Sequence, residues 1–363
     1  MDSKLGKDTN NMKLSRISYI YTLCRRRASE GHLSVFRQLL EIAVLQITKG
    51  IGYDIYHYAG MWDKNASWAY KNSFLSYRNY GKKIYELNER KFHGMSQYKP
   101  YEKAFFNLWF IPTAAYIGTL DKRSGCTNTG GGLKSGEDLC RCLEAFVGKE
   151  ICFKLVEGSN GKGFRAYRLL RRMGELCAEH LSTMAVCTVR ELYDNLMQES
   201  VDGWLLEEYI VQHPVLKSFN PSSLNTIRMF LYKKSNGEVV ALKSFLKTGK
   251  PGALIDKTEN GGASVFIDQD TGVLLNGFNW SPEMRPLKQH PATGVVFEGV
   301  QIPFWREAVE MAVRTLKACV GTRFIGVDIA ISENGPLMVE MNVHSDPDCM
   351  PVLRLQTARI FAD

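Results

Sequence analysis

No hydrophobic run in the sequence approaches the roughly 20 apolar residues that a membrane-spanning helix requires. The sequence also lacks the G-x-x-x-x-G-K-[ST] phosphate-binding loop and the G-x-G-x-x-G dinucleotide fingerprint. Internal repeats are absent, and the polar start from Met1 to Asn11 does not resemble a signal peptide. These absences predict a globular protein without a transmembrane segment, whose chemistry does not depend on the two best-known nucleotide motifs.

The cysteines give little support for a metal site. The nine cysteines are an odd number and are scattered, and only Cys140 and Cys142 lie close together. A single C-x-C pair without a second cluster is weak support for a zinc site. We therefore expect free thiols in the reducing cytosol, and a cytoplasmic protein.

The composition is that of a chain with a large core. Among its 363 residues, 45% are hydrophobic and 23% are charged, which favours two or three folded lobes over disorder. The net charge of +8 is concentrated in residues 1–100, where 17 Lys and Arg face 8 Asp and Glu, while the remainder is nearly neutral. This N-terminal region could therefore contact nucleic acid, a membrane surface or an anionic substrate.

Residues 12–50 have the apolar spacing of helices, and Arg25-Arg26-Arg27 fits the end of the first one. Such a segment could lie on an anionic membrane or dock on the rest of the protein, but a solvated charged face is the favoured interpretation. Residues 53–85 interleave aromatic and basic residues. This pattern is compatible with sugar or base binding, although a helical core packed with aromatic side chains is favoured.

A strand, a tight turn and a second strand are predicted over residues 324–342. Asp328 is the only acid in its apolar strand, and Glu340 and Asn342 share one face of the second strand. Folding of the hairpin brings Asp328 opposite them, so three oxygen donors converge, as a hard cation such as Mg²⁺ prefers. The alternative is a buried acid paired with a distant arginine.

A second motif begins at Lys154, which lies inside an apolar strand and is followed by the glycine-rich stretch 157–164. Backbone amides of such a loop can surround phosphate groups, because glycine allows close approach. A plain hairpin turn explains the loop equally well. Two further strands carry isolated charges: residues 204–210 end in acids, and Arg228 is the charge within residues 226–232.

Taken in order, these motifs resemble the ATP-grasp superfamily over about residues 85–355, with Asn260-Gly261-Gly262 as a further match. The aromatic N-terminal region and residues 290–294 are similar to its sugar-transfer-associated branch, which is linked to polysaccharide biosynthesis. The resemblance implies an α+β ATP-grasp fold, with two α/β lobes clamping ATP. It predicts a helical region at 1–85, a first lobe at 86–210 and a second lobe with the Mg²⁺ site at 211–363.

The resemblance further implies a carboxylate–amine ligase that uses ATP and Mg²⁺ as cofactors. Its catalytic residues would be Arg228, Lys162 and Asn260. Its nucleotide-binding residues would be Lys91, Lys154, Ser159, Asn160, Gly161, Lys162, Glu207, Glu208, Tyr209 and Ile210. Its Mg²⁺ ligands would be Asp328, Glu340 and Asn342.

The reaction implied joins a small-molecule carboxylate to an amine, either of them sugar-linked, with no nucleic acid involved. A phosphotransferase on a small molecule and a non-catalytic ATP-binding module are the alternatives, and the complete acidic triad argues against the latter. Related amino-acid ligases carry an arginine before Gly261-Gly262, where this sequence has Asn260; Lys250 or Lys257 would have to replace it. His344, Ser345 and Asp346 are candidates for substrate recognition, or simply form a loop that caps the strand.

Overall fold

A computed structural model describes residues 2–158, 161–200, 202–256 and 262–363. It confirms the α+β class. The helices are α1 (Asp2–Ser29), α2 (Val35–Lys49), α3 (Tyr53–Tyr58), α4 (Trp68–Lys71), α5 (Tyr77–Leu87), α6 (Gly94–Gln97), α7 (Lys99–Leu108), α8 (Gly136–Leu143), α9 (Val189–Glu199), α10 (Pro214–Lys217), α11 (Trp305–Ala318), α12 (Cys349–Val352) and α13 (Thr357–Ile360). Short 3₁₀ turns occupy Arg90–Phe92 and Glu144–Phe146.

The strands are β1 (Tyr116–Leu120), β2 (Cys126–Thr127), β3 (Glu150–Leu155), β4 (Arg165–Arg172), β5 (Glu175–His180), β6 (Val186–Thr188), β7 (Trp204–Glu208), β8 (Thr226–Lys233), β9 (Val239–Thr248), β10 (Ala263–Ile267), β11 (Leu274–Phe278), β12 (Pro286–Leu287), β13 (Phe324–Ser332) and β14 (Gly335–Asn342). Within the described residues they form two antiparallel sheets of seven strands each. Their orders are β2-β1-β7-β3-β4-β5-β6 and β12-β11-β10-β9-β8-β13-β14.

Local chemistry explains several of these boundaries. The Ser135 side chain accepts a hydrogen bond from the Asp138 amide, and the Asp138 carboxylate accepts one from the Ser135 amide, so a capping box starts α8. Thr188 and Glu191 form the same arrangement at the start of α9. An Asn-Gly pair lies in the turn between β8 and β9, as is typical of hairpins.

One compact unit comprises residues 1–87, 280–285 and 345–363. Its core packs aliphatic and aromatic side chains of α2, α3 and the following loops, as expected for an aromatic-packed helical region. Glu41 is buried here. Its carboxylate accepts hydrogen bonds from Lys71 Nζ at 2.6 Å, Arg37 Nε at 2.8 Å and the Tyr56 hydroxyl at 2.9 Å. Three donors around one carboxylate remove the cost of burying its charge.

The other unit comprises residues 88–279 and 286–344 and holds both sheets. Helices α8 and α9 pack against each other, and α9 contacts β5 and β6 of the first sheet. Helix α11 lies on β8, β9, β13 and β14 of the second sheet. Each sheet therefore has its own apolar core. The predicted division at residue 210 falls between the two sheets and stays a prediction, while the contacts group residues 345–363 with the N-terminal helices.

Candidate active site

The β13–β14 hairpin sets the register of the acidic residues. Asp328 pairs with Glu340 across β14 and with Arg228 across β8, and Asn342 pairs with Gly326. Directly opposed residues of antiparallel strands project on the same face. The turn lies at residues 333–334, and Gly335 has a φ of +124° that favours glycine. The register therefore brings two carboxylates, an amide and a guanidinium together.

Asp328 is buried and bound by two cations. Arg228 approaches it with Nε at 2.5 Å from Oδ1 and a terminal nitrogen at 3.0 Å from Oδ2, and Lys247 Nζ lies 2.9 Å from Oδ2. Burial raises the pKa of Asp328, but Arg228 and Lys247 outweigh burial and hold that pKa well below its usual range. Lys247 also lies 3.2 Å from Asp256. Asp328 is therefore ionised at neutral pH.

Glu340 has a less favourable environment. Burial and the neighbouring charge of Asp328 raise its pKa, while the nearest Arg228 nitrogen is 4.0 Å away. The Asn342 amide donates to Glu340 Oε1 at 3.2 Å. The described part of the chain has no group of three or more His, Cys, Asp or Glu that could hold a metal. Two carboxylates and an amide oxygen nevertheless fit Mg²⁺, and a divalent cation would relieve their repulsion.

A second charged cluster lies where β3, β7 and α7 meet. The Glu207 carboxylate is fully buried, with Lys154 Nζ 2.5 Å from one oxygen and Lys103 Nζ in contact with the other. Burial raises the pKa of Glu207, but the two lysines outweigh it and the net shift is downward. The strand register explains the ion pair between Lys154 and Glu207. Strands β3 and β7 are paired, and Lys154 lies opposite Leu205, which is two positions from Glu207. Two ammonium groups are thus fixed in a largely buried environment.

Helix α7 connects the two clusters. Glu102 accepts a 2.6 Å hydrogen bond from the Met341 amide, between Glu340 and Asn342, and Lys103 on the next position binds Glu207. Burial and the nearby Glu340 raise the pKa of Glu102 to about 8. Burial lowers the pKa of Lys99, against the opposing effect of Glu340 and Glu102. The charge of Glu340 therefore affects the pKa of Lys99 on α7.

The glycine-rich loop adjoins this region through Lys99, whose Nζ donates to the Gly158 carbonyl at 2.7 Å. Gly161 and Gly163 have φ of +66° and +76°, and a Cβ at Gly163 would lie 2.7 Å from a side-chain carbon of Leu155. Both positions therefore require glycine. Lys162 is exposed at this loop. The predicted residues Ser159, Asn160 and Asn260 lie outside the described residues.

Residues 207–210, which are predicted to bind the nucleotide, are only partly available to a ligand. The Glu208 and Tyr209 amides donate to the carbonyls of Ala115 and Glu150, and the Glu208 carboxylate lies 3.2 Å from Lys149 Nζ. Ile210 follows the strand and is half-buried. These backbone amides are thus used within the protein, which leaves side chains and carbonyl groups to contact a base.

Lys91 is not brought to either cluster. Its side chain is 69% exposed, lies 2.7 Å from Glu89 and stands over the Phe92 ring. Lys103 occupies the place beside Glu207 and Lys154 instead, and the sequence analysis missed it, as it missed Lys247. Both carry a weak sequence signal, since Lys103 is a charge on the buried side of α7 and Lys247 interrupts the apolar stretch of β9.

His344 follows β14 and pairs with a buried histidine. Its Nε2 lies 2.8 Å from His93 Nδ1, and His93 Nε2 lies 2.9 Å from the Asn88 carbonyl. Because a carbonyl only accepts, His93 Nε2 carries a proton and the His344 ring is held in a defined orientation. An open cavity of about 360 Å³ lies beside the start of the glycine loop, lined by Gly94, Gln97, Tyr98, Tyr101 and Glu157.

Comparison with known families gives one decisive match. The sequence profile described as "Sugar-transfer associated ATP-grasp" matches residues 113–352, which is more than half of the chain. This match confirms the resemblance that the ordered motifs indicate. A comparison with curated proteins gave no match.

Solved structures with a similar fold are distant. N5-carboxyaminoimidazole synthetase from Staphylococcus aureus complexed with ADP is 12% identical with a TM-score of 0.39, over 69% of this chain and 46% of that one. A biotin carboxylase–nucleotide complex from Campylobacter jejuni is 12% identical with a TM-score of 0.41, over 74% and 46%. Phosphoribosylamine–glycine ligase from Thermotoga maritima is 12% identical with a TM-score of 0.41, over 74% and 52%. The chain spans about half the length of these structures, and family membership rests on the profile match.

Proposed function

This chain belongs to the sugar-transfer associated ATP-grasp family, and we propose that it is an ATP- and Mg²⁺-dependent carboxylate–amine ligase that forms an amide through an acylphosphate. Its proposed substrates are a small-molecule carboxylate and an amine, at least one of them part of a sugar conjugate or surface polysaccharide precursor. Since ATP is a substrate, we propose a cytoplasmic location, and no role for nucleic acid.

One observation carries this proposal: two carboxylates of unequal pKa stand beside two fixed cations. Asp328 is ionised and bound by Arg228 and Lys247, whereas Glu340 has its pKa raised by burial and by Asp328. The nearest Arg228 nitrogen is 4.0 Å from Glu340. Mg²⁺ bound by Glu340, Asn342 and Asp328 would favour the ionised form of Glu340 and compensate its charge.

The chemistry requires several negative groups to meet. A substrate carboxylate oxygen forms a bond to the γ-phosphorus while the bond to the ADP oxygen breaks. The amine nitrogen then bonds to the acyl carbon, the carbon–oxygen bond to phosphate breaks, and the amine gives up a proton. Bound Mg²⁺ would supply charge neutralisation along the phosphates.

The chain's own cations complete that neutralisation. Arg228 and Lys247 are held by Asp328 and face the transferred phosphoryl group in the proposed complex, which they stabilise electrostatically. Lys154 and Lys103 bind the nucleotide phosphates from the other cluster. Lys162 and the glycine-loop amides cover the β- and γ-phosphates and exclude water, which would otherwise hydrolyse the acylphosphate.

The experiment is an ADP-release assay with pooled amino acids and uronic acids as candidate substrates, followed by mass spectrometry of the products. Ligation gives a product whose mass is the sum of two substrates less one water. A product heavier than one substrate by a phosphoryl group would instead identify a phosphotransferase. ATP binding by calorimetry with no turnover for any pool would favour a non-catalytic binding module.

A further inference from the structure

Helix α2 buries polar side chains and exposes large apolar ones, the reverse of an ordinary surface helix. Its buried residues are Gln38, Glu41 and Leu45, two of which are polar. Its exposed residues include polar ones at both ends, but four are large and apolar, with Phe36 77% and Ile47 84% exposed. The exposed apolar set is Phe36, Leu39, Leu40, Ala43 and Ile47. At 100° per residue these five side chains fall on one narrow stripe, which we call the α2 stripe.

The buried polar side chains of α2 are mostly hydrogen-bonded, although Gln38 Oε1 has no partner among the described residues. Glu41 is the only acid in the helix, and Lys71, Arg37 and Tyr56 all bond to it. The Gln38 amide donates to the carbonyls of Cys24 and Leu33. Since these bonds fix the inward face, the helix cannot rotate the α2 stripe inward without breaking a buried ion-pair network. Alongside the solvated polar residues that the sequence favours, α2 therefore exposes a fixed apolar stripe.

The sequence that forms α2 and the second half of α1 has an excess of basic residues. Residues 15–50 contain six Lys and Arg against two Asp and Glu. Both acids are engaged, Glu41 within the core and Glu30 by Arg26 and Arg27, each at 2.8 Å. Arg25 and Lys49 are exposed. An exposed apolar stripe in a helix pair with an excess of basic side chains is the composition of a segment that lies in a membrane interface.

From this arrangement we infer that the α2 stripe docks on the surface of an anionic lipid bilayer, with α2 parallel to the membrane plane. The apolar side chains enter the boundary between headgroups and acyl chains, and the basic residues contact the anionic headgroups. No described helix is long and apolar enough to cross a membrane. The contact is therefore peripheral, and it is independent of the ligase reaction.

The test is flotation of the full-length protein with vesicles of phosphatidylcholine containing about 30% phosphatidylglycerol, compared with pure phosphatidylcholine. The variant carries Phe36→Gln and Ile47→Gln, which keep helix-compatible side chains. The matched control carries Val211→Gln and Val320→Gln, two exposed apolar residues of the other compact unit. Circular dichroism melts show that both variants stay folded.

We expect the wild type to bind the anionic vesicles, and the α2 variant to partition at least about tenfold less. The control variant should bind as the wild type does. Replacing Arg25 by Gln should weaken binding about fivefold, and added salt should weaken it as well.

Three results would overturn the inference. The wild type could fail to bind anionic vesicles, or the α2 variant could bind as well as the wild type. Light scattering could also show a dimer that the α2 variant abolishes while vesicles are not bound, which would make a second copy of the chain the occupant. Since ADP release is measured separately, failure here leaves the proposed ligase function untouched.

Discussion

Replacing Glu340 by Gln should abolish most ATP turnover and, in the absence of nucleotide and Mg²⁺, make the fold slightly more stable. Burial and the opposed Asp328 carboxylate raise the pKa of Glu340, so its charge is a cost to the ligand-free protein. A neutral amide of the same shape removes that cost. The same change removes an Mg²⁺ ligand, so it should weaken turnover.

The expected size of the stability gain follows from the geometry. Opposed residues of antiparallel strands have Cβ atoms about 5 Å apart, where two like charges repel by about 1–3 kcal/mol at an effective dielectric constant between 80 and 20. Arg228 lies 4.0 Å from Glu340 and offsets part of this, and the side chain keeps 36% of its surface exposed, so water screens the remainder. A net gain of about 1 kcal/mol, or about 2–4 °C in Tm, is expected.

The assay pairs thermal melts without ligand with coupled ADP release at saturating ATP and Mg²⁺. Glu333→Gln is the matched control, because Glu333 is an exposed acid at the turn of the same hairpin. Mg²⁺–ATP should raise the Tm of the wild type and of the control, but hardly that of Glu340→Gln. A Glu340→Gln protein that turns over ATP at the wild-type rate, or that melts several degrees lower than wild type, would refute this account of the site.

Three further changes test other parts of the molecule. Lys103→Met should weaken ATP binding about tenfold or more, whereas Lys91→Met should change it less than about twofold; calorimetry showing the reverse order would restore Lys91 as the nucleotide lysine. Burial lowers the pKa of His57 to about 3, so the folded state keeps this residue neutral and stability falls as the pH drops from about 6.5 towards 3. The free energy of unfolding in urea should therefore fall by about 2 kcal/mol more in the wild type than in His57→Gln between pH 7 and 5, and equal losses would contradict this. Gly163→Ala should impair ATP binding and Gly174→Ala should not, since both have positive φ but only Gly163 has no space for a Cβ; equal ATP affinities would count against a phosphate-covering loop.

The hairpin at residues 324–342 could be predicted because its information is local. Two apolar runs, the turn between them and the acids Asp328 and Glu340 are all present in one short stretch, and the register then brings the two acids together. The capping boxes of α8 and α9 are equally local, because each joins residues three positions apart. The family match followed from the order of several such local motifs.

Contacts between distant parts of the chain could not be predicted in this way. Lys103 pairs with Glu207, and Lys247 pairs with Asp328, across roughly a hundred residues of sequence. No feature of the local sequence around either lysine indicates its partner. The orientation of α2 was hidden for a related reason. Its buried Glu41 depends on Lys71, which lies in a different helix, so helical periodicity alone assigns the apolar side to the interior.

The hydrogen bond from the Met341 amide to Glu102 has a thermodynamic consequence. It ties α7, which carries Lys99 and Lys103, to the strand that carries Glu340 and Asn342. A ligand that orders one of these elements also orders the other, so the nucleotide and the metal should each increase the affinity for the other by the same factor. Glu102→Leu removes this hydrogen bond. In that variant the nucleotide and the metal should still bind, but each should increase the affinity for the other by a smaller factor.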